Sequence, residues 1–156
     1  MKKINVLFIC HGNICRSPMA EFMFVDMVNK KGLSDRFHID SCSTSREQIG
    51  EDTHYGTRRK LNEMGVPMYP RAARQLTKAD YKKYDYIIAM DDLNIRNIKR
   101  IISDDPEGKI YTLLQFAGLS RGIADPWYTG NFDETYDDIS LGLDGFMKYL
   151  EEKYKF

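Results

Sequence analysis

The chain has 156 residues, 42% hydrophobic and 29% charged, which suits one globular domain with a core of its own. Its 23 basic and 23 acidic side chains cancel to a formal net charge of zero, so no long-range field draws it to nucleic acid or an anionic membrane, and anion recognition has to be local. Three cysteines (Cys10, Cys15, Cys42) without a C-x-x-C pair are too few for a disulfide framework, and three dispersed histidines (His11, His38, His54) offer no metal cluster.

The first element is the run Ile4 to Ile9, continuous and β-prone, as in a strand buried on both faces. Met1-Lys2-Lys3 has the charge of a secretory n-region, but Val6 to Ile9 is too short for an h-region and no A-x-A-like site follows. With no stretch of membrane-spanning length, the chain reads as cytoplasmic with no membrane partner. Pro18 to Asn29 has helical spacing at Met19, Phe22, Met23 and Val28, with Ser17 as N-cap, Pro18 in the first helical position and Lys31-Gly32 as the stop. Phe37 to Ser41 is a second strand, and His38 and His54 read as surface or loop positions. A helix over about Thr53 to Met64 ends at Gly65 and Pro67, and Thr77-Lys78-Ala79-Asp80 resembles a capping box opening a short helix. Tyr84 to Met90 is a strand, Leu93 to Ile102 a helix with its stripe at Leu93, Ile98 and Ile102, and Lys109 to Leu113 a fourth strand. The last helix runs from about Phe132 to Lys153, with Ile139, Leu143, Phe146 and Leu150 on one face.

Strands alternating with helices along the whole chain imply an α/β fold with a parallel sheet. Ligands in such folds sit beyond the carboxyl ends of strands, where the strand order switches. Cys10 lies at the carboxyl end of the first strand.

Between that strand and the first helix stands Cys10-His11-Gly12-Asn13-Ile14-Cys15-Arg16-Ser17-Pro18. Gly12 permits backbone angles closed to other residues and Asn13 tolerates the left-handed region, so the loop is suited to curl its N–H groups inward as an anion nest. The helix adds its positive end, and Arg16 adds a planar fork matched to a phosphate-like oxyanion. Such surroundings stabilise a thiolate, toward which the Ser17 hydroxyl can also donate. The chemistry this suggests is phosphoryl transfer to the Cys10 sulfur through a phosphocysteine intermediate. A bare C-x5-R is a weak signal; the full string between a buried strand and a helix start is a strong one.

Expelling a phenolate whose conjugate acid has a pKa of about 10 calls for a proton donor. Asp125 in Ala124-Asp125-Pro126-Trp127-Tyr128 supplies a carboxyl in a stiffened segment, with two aromatics able to flank a phenyl ring.

Together these strings resemble the low-molecular-weight protein tyrosine phosphatases across essentially the whole chain. Asp40-Ser41-Cys42-Ser43-Thr44-Ser45, Ala73-Arg74-Gln75 and Tyr86-Ile87-Ile88-Ala89-Met90-Asp91 agree as well. The resemblance implies a four-stranded parallel sheet flanked by helices on both faces in a flavodoxin-like layout, with residues 1–156 as a single phosphatase domain. It implies Cys10 as nucleophile, Arg16 as bidentate clamp, Ser17 as assistant to the departing thiolate and Asp125 as general acid and then general base. His11, Gly12, Asn13, Ile14 and Cys15 would complete the phosphate-binding loop, Asn13 being tied to Ser41, and Cys15 would form a reversible disulfide with Cys10. Substrates would be phosphotyrosine proteins or small aryl phosphates, with phosphate, sulfate or vanadate as further ligands, no metal or organic cofactor, and a monomeric state.

Two departures bear on the cleft. Arg46-Glu47-Gln48 stands where the family often has an aromatic wall, and Tyr69-Pro70 stands where many members have a histidine, leaving Trp127 and Tyr128 as the other wall. Glu47 near the cleft would disfavour acidic peptides. Three rivals compete. An arsenate reductase of this fold needs further cysteines, and none follows Cys42. A phosphoarginine phosphatase resembles this loop with threonine in place of Ile14. A non-catalytic oxyanion-binding or redox module would have no use for Asp125.

Overall fold

The computed structural model describes residues 2–156. Four strands, β1 (Ile4–Cys10), β2 (Phe37–Ser43), β3 (Tyr86–Ala89) and β4 (Ile110–Thr112), pair in parallel in the order β2-β1-β3-β4, the flavodoxin-like layout. The chain leaves β1 for β2 on one side and returns for β3 on the other, so the switch in strand order lies at β1, and Cys10 sits at its carboxyl end.

Alternation along β1 distributes the core. Ile4, Val6 and Phe8 face one side of the sheet with α1 (Arg16–Lys30), α2 (Tyr55–Glu63) and α6 (Phe132–Tyr154). Leu7 and Ile9 face the other with α3 (Asp80–Lys83) and α4 (Asp92–Ile102). Ile139, Leu143, Phe146 and Leu150 of α6 are fully buried, as their spacing predicts. A Cβ on Gly145 would lie 2.2 Å from the Phe116 carbonyl oxygen, so glycine lets α6 lie directly on the 3-10 turn Leu113–Ala117.

Several boundaries differ from expectation for identifiable reasons. α1 starts at Arg16, and Ser17 caps nothing: its hydroxyl is spent on Cys10 and Asn13. Pro18 fits the first turn because that N–H lacks an intrahelical partner in any case. α2 starts at Tyr55 because His54 Nδ1 accepts the Gly56 N–H (3.0 Å). Ala79, not Thr77, precedes α3. Only half of the expected box forms, Asp80 accepting the Thr77 N–H (2.8 Å). In α4 Leu93 is 52% exposed, and Ile95, Ile98, Ile101 and Ile102 make the buried face. β4 ends at Thr112 because Thr112 and Gln115 form a capping box that turns the chain into Leu113–Ala117. Ser34–Arg36 and the short helix α5 (Pro126–Thr129) have too few residues for a periodic signal. His38 lies within β2 and is half-buried, so it is neither a surface nor a loop position, whereas His54 is a half-buried loop position before α2.

The turn before β4 is held by one carboxylate. Asp105 accepts the Tyr81 hydroxyl (2.6 Å) and the N–H groups of Lys109 (2.7 Å) and Ile110 (3.1 Å). Burial pushes its carboxyl up, but those donors outweigh burial and hold it below the ordinary 3.8. A depressed carboxyl stabilises the fold above its unfolded pKa, and that stability is lost as pH falls through the folded value. Asp105→Asn should cost about 1 kcal/mol in urea unfolding near neutrality, and the gap to the parent should close as the pH drops below the ordinary carboxyl range. A gap of constant size down to acid pH would assign the effect to shape and not charge.

Candidate active site

β1 ends at Cys10 and α1 begins at Arg16. The loop between them is pinned from outside through its carbonyls. Cys10 O accepts from Thr44 N (3.1 Å), His11 O from Ser45 N (3.1 Å), Ile14 O from His54 N (2.8 Å) and Asn13 O from Arg71 (2.7 Å). Peptide units held this way turn their N–H sides toward the loop centre, and the Asn13 N–H reaches Cys10 Sγ at 3.3 Å. Asn13 takes the left-handed conformation, φ 59°. Gly12 does not have a positive φ. A Cβ there would meet Gln48 Cγ at 3.3 Å, so its absence makes room for the neighbouring loop and is not needed for a special backbone angle.

Ser17 Oγ lies 3.0 Å from Cys10 Sγ. Asn13 Nδ2 donates to Ser17 Oγ and to Ser41 Oγ, each at 2.9 Å, which places Ser41 against the loop. Ser41 in turn donates to Glu21, whose other oxygen accepts the Tyr69 hydroxyl. Burial pushes both the Glu21 carboxyl and the Tyr69 hydroxyl up. Tyr69 therefore stands behind the loop with its ring against Phe22. The departure at that position bears on loop support and not on a cleft wall.

Arg16 is buried and aimed. Its Nη1 donates to Asp91 Oδ2 (2.6 Å) and to Ile123 O (2.9 Å), and Nη2 lies 3.4 Å from Asp125 Oδ2. Its Nε is buried without a partner among the described residues. Burial works against the guanidinium charge, but Cys10, Asp125 and Asp91 more than compensate and raise its pKa. Asp91 also caps α4 by accepting the Asn94 N–H (2.8 Å).

Cys10, His11, Gly12, Ile14, Cys15, Glu47, Gln48, Asp125, Trp127 and Tyr128 line one cleft. Asp125 enters as the N-cap of α5, its Oδ1 accepting the Trp127 N–H at 3.0 Å. Trp127 is 53% and Tyr128 80% exposed, and Trp127 meets His54 edge-on, which stacks on Phe132. Burial, then Arg58, lowers the His54 pKa, in keeping with a neutral ring accepting from Gly56. Opposite, Glu47 Oε2 and His11 Nε2 lie 2.8 Å apart in a hydrogen bond, so the mouth is bounded by a polar pair where an aromatic wall is missing. Burial, then the neighbouring Cys10 and Asp125, push the Cys15 thiol up to about 12. Cys42 belongs to the core on the other face of the sheet, with no place in the cleft.

Asp91, Arg71 and Glu21 had no assigned role in the sequence reading, and Tyr69 entered it only as a departure bearing on the cleft. Asp91 closes the string Tyr86 to Asp91 that resembles the family, and its position just beyond the carboxyl end of a buried strand, as for Cys10, is the signal that could have drawn attention to it.

The family model described as low molecular weight phosphotyrosine protein phosphatase matches residues 5–155. The chain is 38% identical over 152 residues to the low molecular weight protein-tyrosine-phosphatase YfkJ of Bacillus subtilis, covering 96% of this chain and 97% of that protein. It is 40% identical over 154 residues to the low molecular weight phosphotyrosine protein phosphatase of Schizosaccharomyces pombe, covering 96% and 98%. The crystal structure of YfkJ matches with a TM-score of 0.94 at 37% identity over 98% of both chains. That of a Drosophila arginine phosphatase matches with 0.85 at 27% identity, covering 97% of this chain and 98% of that one.

Proposed function

The chain belongs to the low molecular weight phosphotyrosine protein phosphatase family, and from that premise we propose the residue roles of its phosphomonoester hydrolysis. Cys10 Sγ attacks phosphorus in line with the phenolic oxygen. The P–O bond breaks, and Asp125 delivers a proton to the leaving oxygen. Arg16 holds two equatorial oxygens while the loop N–H groups hold the rest. Water, losing a proton to Asp125, then breaks the P–S bond, and Ser17 donates to the departing thiolate. Residues 1–156 act as one phosphatase domain and as a monomer in the cytoplasm; among the described residues no helix is long and apolar enough to cross a membrane. Phosphate, sulfate and vanadate are expected to occupy the same loop.

The observation that carries this reading is the buried, unpartnered Arg16 Nε in a site whose cysteine sulfur accepts the Asn13 N–H and touches the Ser17 hydroxyl. The test is hydrolysis in the presence of a metal chelator. The parent should turn over p-nitrophenyl phosphate and phosphotyrosyl peptides, and an inactive, folded parent would overturn the roles. The likeness to an arginine phosphatase keeps phosphoarginine as a second substrate to assay. Ile14, apolar and branched in the cleft lining, favours the aryl ester, and faster turnover of phosphoarginine would reverse that choice.

Cys15 lines the same cleft as Cys10. Peroxide converts the Cys10 thiolate to a sulfenic acid. Attack by Cys15 sulfur then expels the hydroxyl as water and leaves a disulfide that a dithiol reductant reopens. Activity should return on reduction in the parent and be lost in Cys15→Ser. Equal recovery in both would remove Cys15 from this role.

A further inference from the structure

Asn13 has both of its oxygens gripped by one side chain from a distant loop. Arg71 Nη2 donates to Asn13 O (2.7 Å) and also to Asn13 Oδ1. The Arg74 N–H donates to the same Oδ1 at 3.3 Å, and Arg71 Nη1 rests on Thr53 Oγ1 at 3.4 Å.

We propose that Arg71 is a positioning residue that fixes the direction of the hydrogen bonds ending on the Cys10 sulfur. The proposal rests on the reading of Cys10 as nucleophile. Its logic is a count of hydrogens. A side-chain amide can turn over, exchanging its oxygen for its nitrogen. Here it cannot, because the oxygen faces a guanidinium and a peptide N–H, neither of which can accept. The NH2 group is therefore committed to the inner side, with one hydrogen for Ser17 Oγ and one for Ser41 Oγ. Each serine accepts at that contact and keeps its own hydrogen for elsewhere. Ser41 spends it on Glu21. Ser17 has one other partner among the described residues, Cys10 Sγ, and so meets the sulfur as a donor. A donor at that place favours the thiolate both before attack and as it leaves phosphorus. Arg71 also ties down the carbonyl of the residue in the left-handed conformation, so the same contact keeps the Asn13 N–H aimed at Sγ. Glu21 compensates the Arg71 charge against a burial that lowers its pKa.

Arginine suits this task because it has donors only. A glutamine in its place can present an acceptor, and the Asn13 amide is then free to reverse. The experiment compares Arg71→Met, Arg71→Gln and Arg71→Lys with the parent. Melting temperature, kcat and KM for p-nitrophenyl phosphate, and the rate of Cys10 alkylation by iodoacetamide at mildly acid pH are measured for each. The thiols of Cys15 and Cys42, both pushed upward by burial, stay silent to the reagent. R71M and R71Q should fold, lose kcat by about tenfold with KM changed much less, and alkylate about tenfold more slowly. R71K should recover part of both, since an ammonium only donates but cannot span two oxygens as a fork does. Parental kcat and alkylation in a folded R71M or R71Q overturn the proposal, as does a fall in kcat with parental alkylation. Loss of the fold in both would place Arg71 in stability and also overturn it. Turnover retained by Cys10→Ser would remove the underlying reading instead, and is a separate result.

Discussion

Cys10→Ser should lower turnover of p-nitrophenyl phosphate by at least ~10⁴-fold while leaving phosphate bound. The two halves of that expectation come from different parts of the site. Turnover fails because an alcohol at the end of β1 has no general base beside it. Its neighbours Ser17 Oγ and Asn13 N–H stabilise a negative sulfur and do not remove a proton from an oxygen. Binding survives because the anion site is built from outside the sulfur. Arg16 is held by Asp91 and the Ile123 carbonyl, and the loop carbonyls are pinned by Thr44, Ser45, His54 and Arg71. None of these contacts involves Cys10 Sγ. Phosphate at about a hundred times its Kd should therefore raise the variant's unfolding free energy by about 2.7 kcal/mol, as any ligand confined to the native state does. Measurable turnover in C10S would sink the covalent route. An inactive C10S that phosphate no longer stabilises would show that the sulfur is part of the anion site itself.

How much of this was legible in the sequence follows from where the partners lie along the chain. The nucleophile loop is contiguous, Cys10 to Pro18, and it falls between a run that only a buried strand explains and a helix start. Both signals are local, and each fixes the other. Asp125 was readable for the same reason: a stiff Asp-Pro followed by two aromatics is a short string with a chemical use. Arg71 was not. It meets Asn13 across 58 residues of sequence, and Arg16 meets Asp91 across 75. A charged residue in a loop carries no mark of the contact it will make, so only the folded chain reveals the pairing. Tyr69 shows the opposite error. Its departure from the family pattern was visible, but the substitution was assigned to the cleft, and the ring lies behind the loop on Phe22. The helix start failed for a related reason. Ser17 has the chemistry of an N-cap, and the fold uses its one hydrogen and its lone pairs for Cys10 and Asn13 instead. Glu47 was expected near the cleft and lines it, but paired with His11, so its charge is partly spoken for before any peptide arrives.

Asp125→Ala should slow phenyl phosphate by about 10³-fold and p-nitrophenyl phosphate by less, with Asp125→Asn matching it on both. The inequality is the point of the experiment. Phenolate is the conjugate base of an acid with a pKa of about 10, so it leaves well only with a proton supplied as the P–O bond breaks. A nitro group makes the leaving oxygen far less basic, and the donor then matters less. The paired variants separate chemistry from structure. Asp125 is also the N-cap of α5, accepting the Trp127 N–H at 3.0 Å, and it lies 3.4 Å from Arg16 Nη2. Alanine removes the proton donor and the cap together, so a loss in D125A alone does not separate proton transfer from displacement of Trp127 from the cleft wall. Asparagine is as good a cap as aspartate but carries no transferable proton. Equal losses in D125A and D125N, larger for the poorer leaving group, assign the effect to proton transfer. A D125N enzyme with parental rates would assign it to the cap, and Asp125 would then be a residue that shapes the cleft without taking part in the reaction.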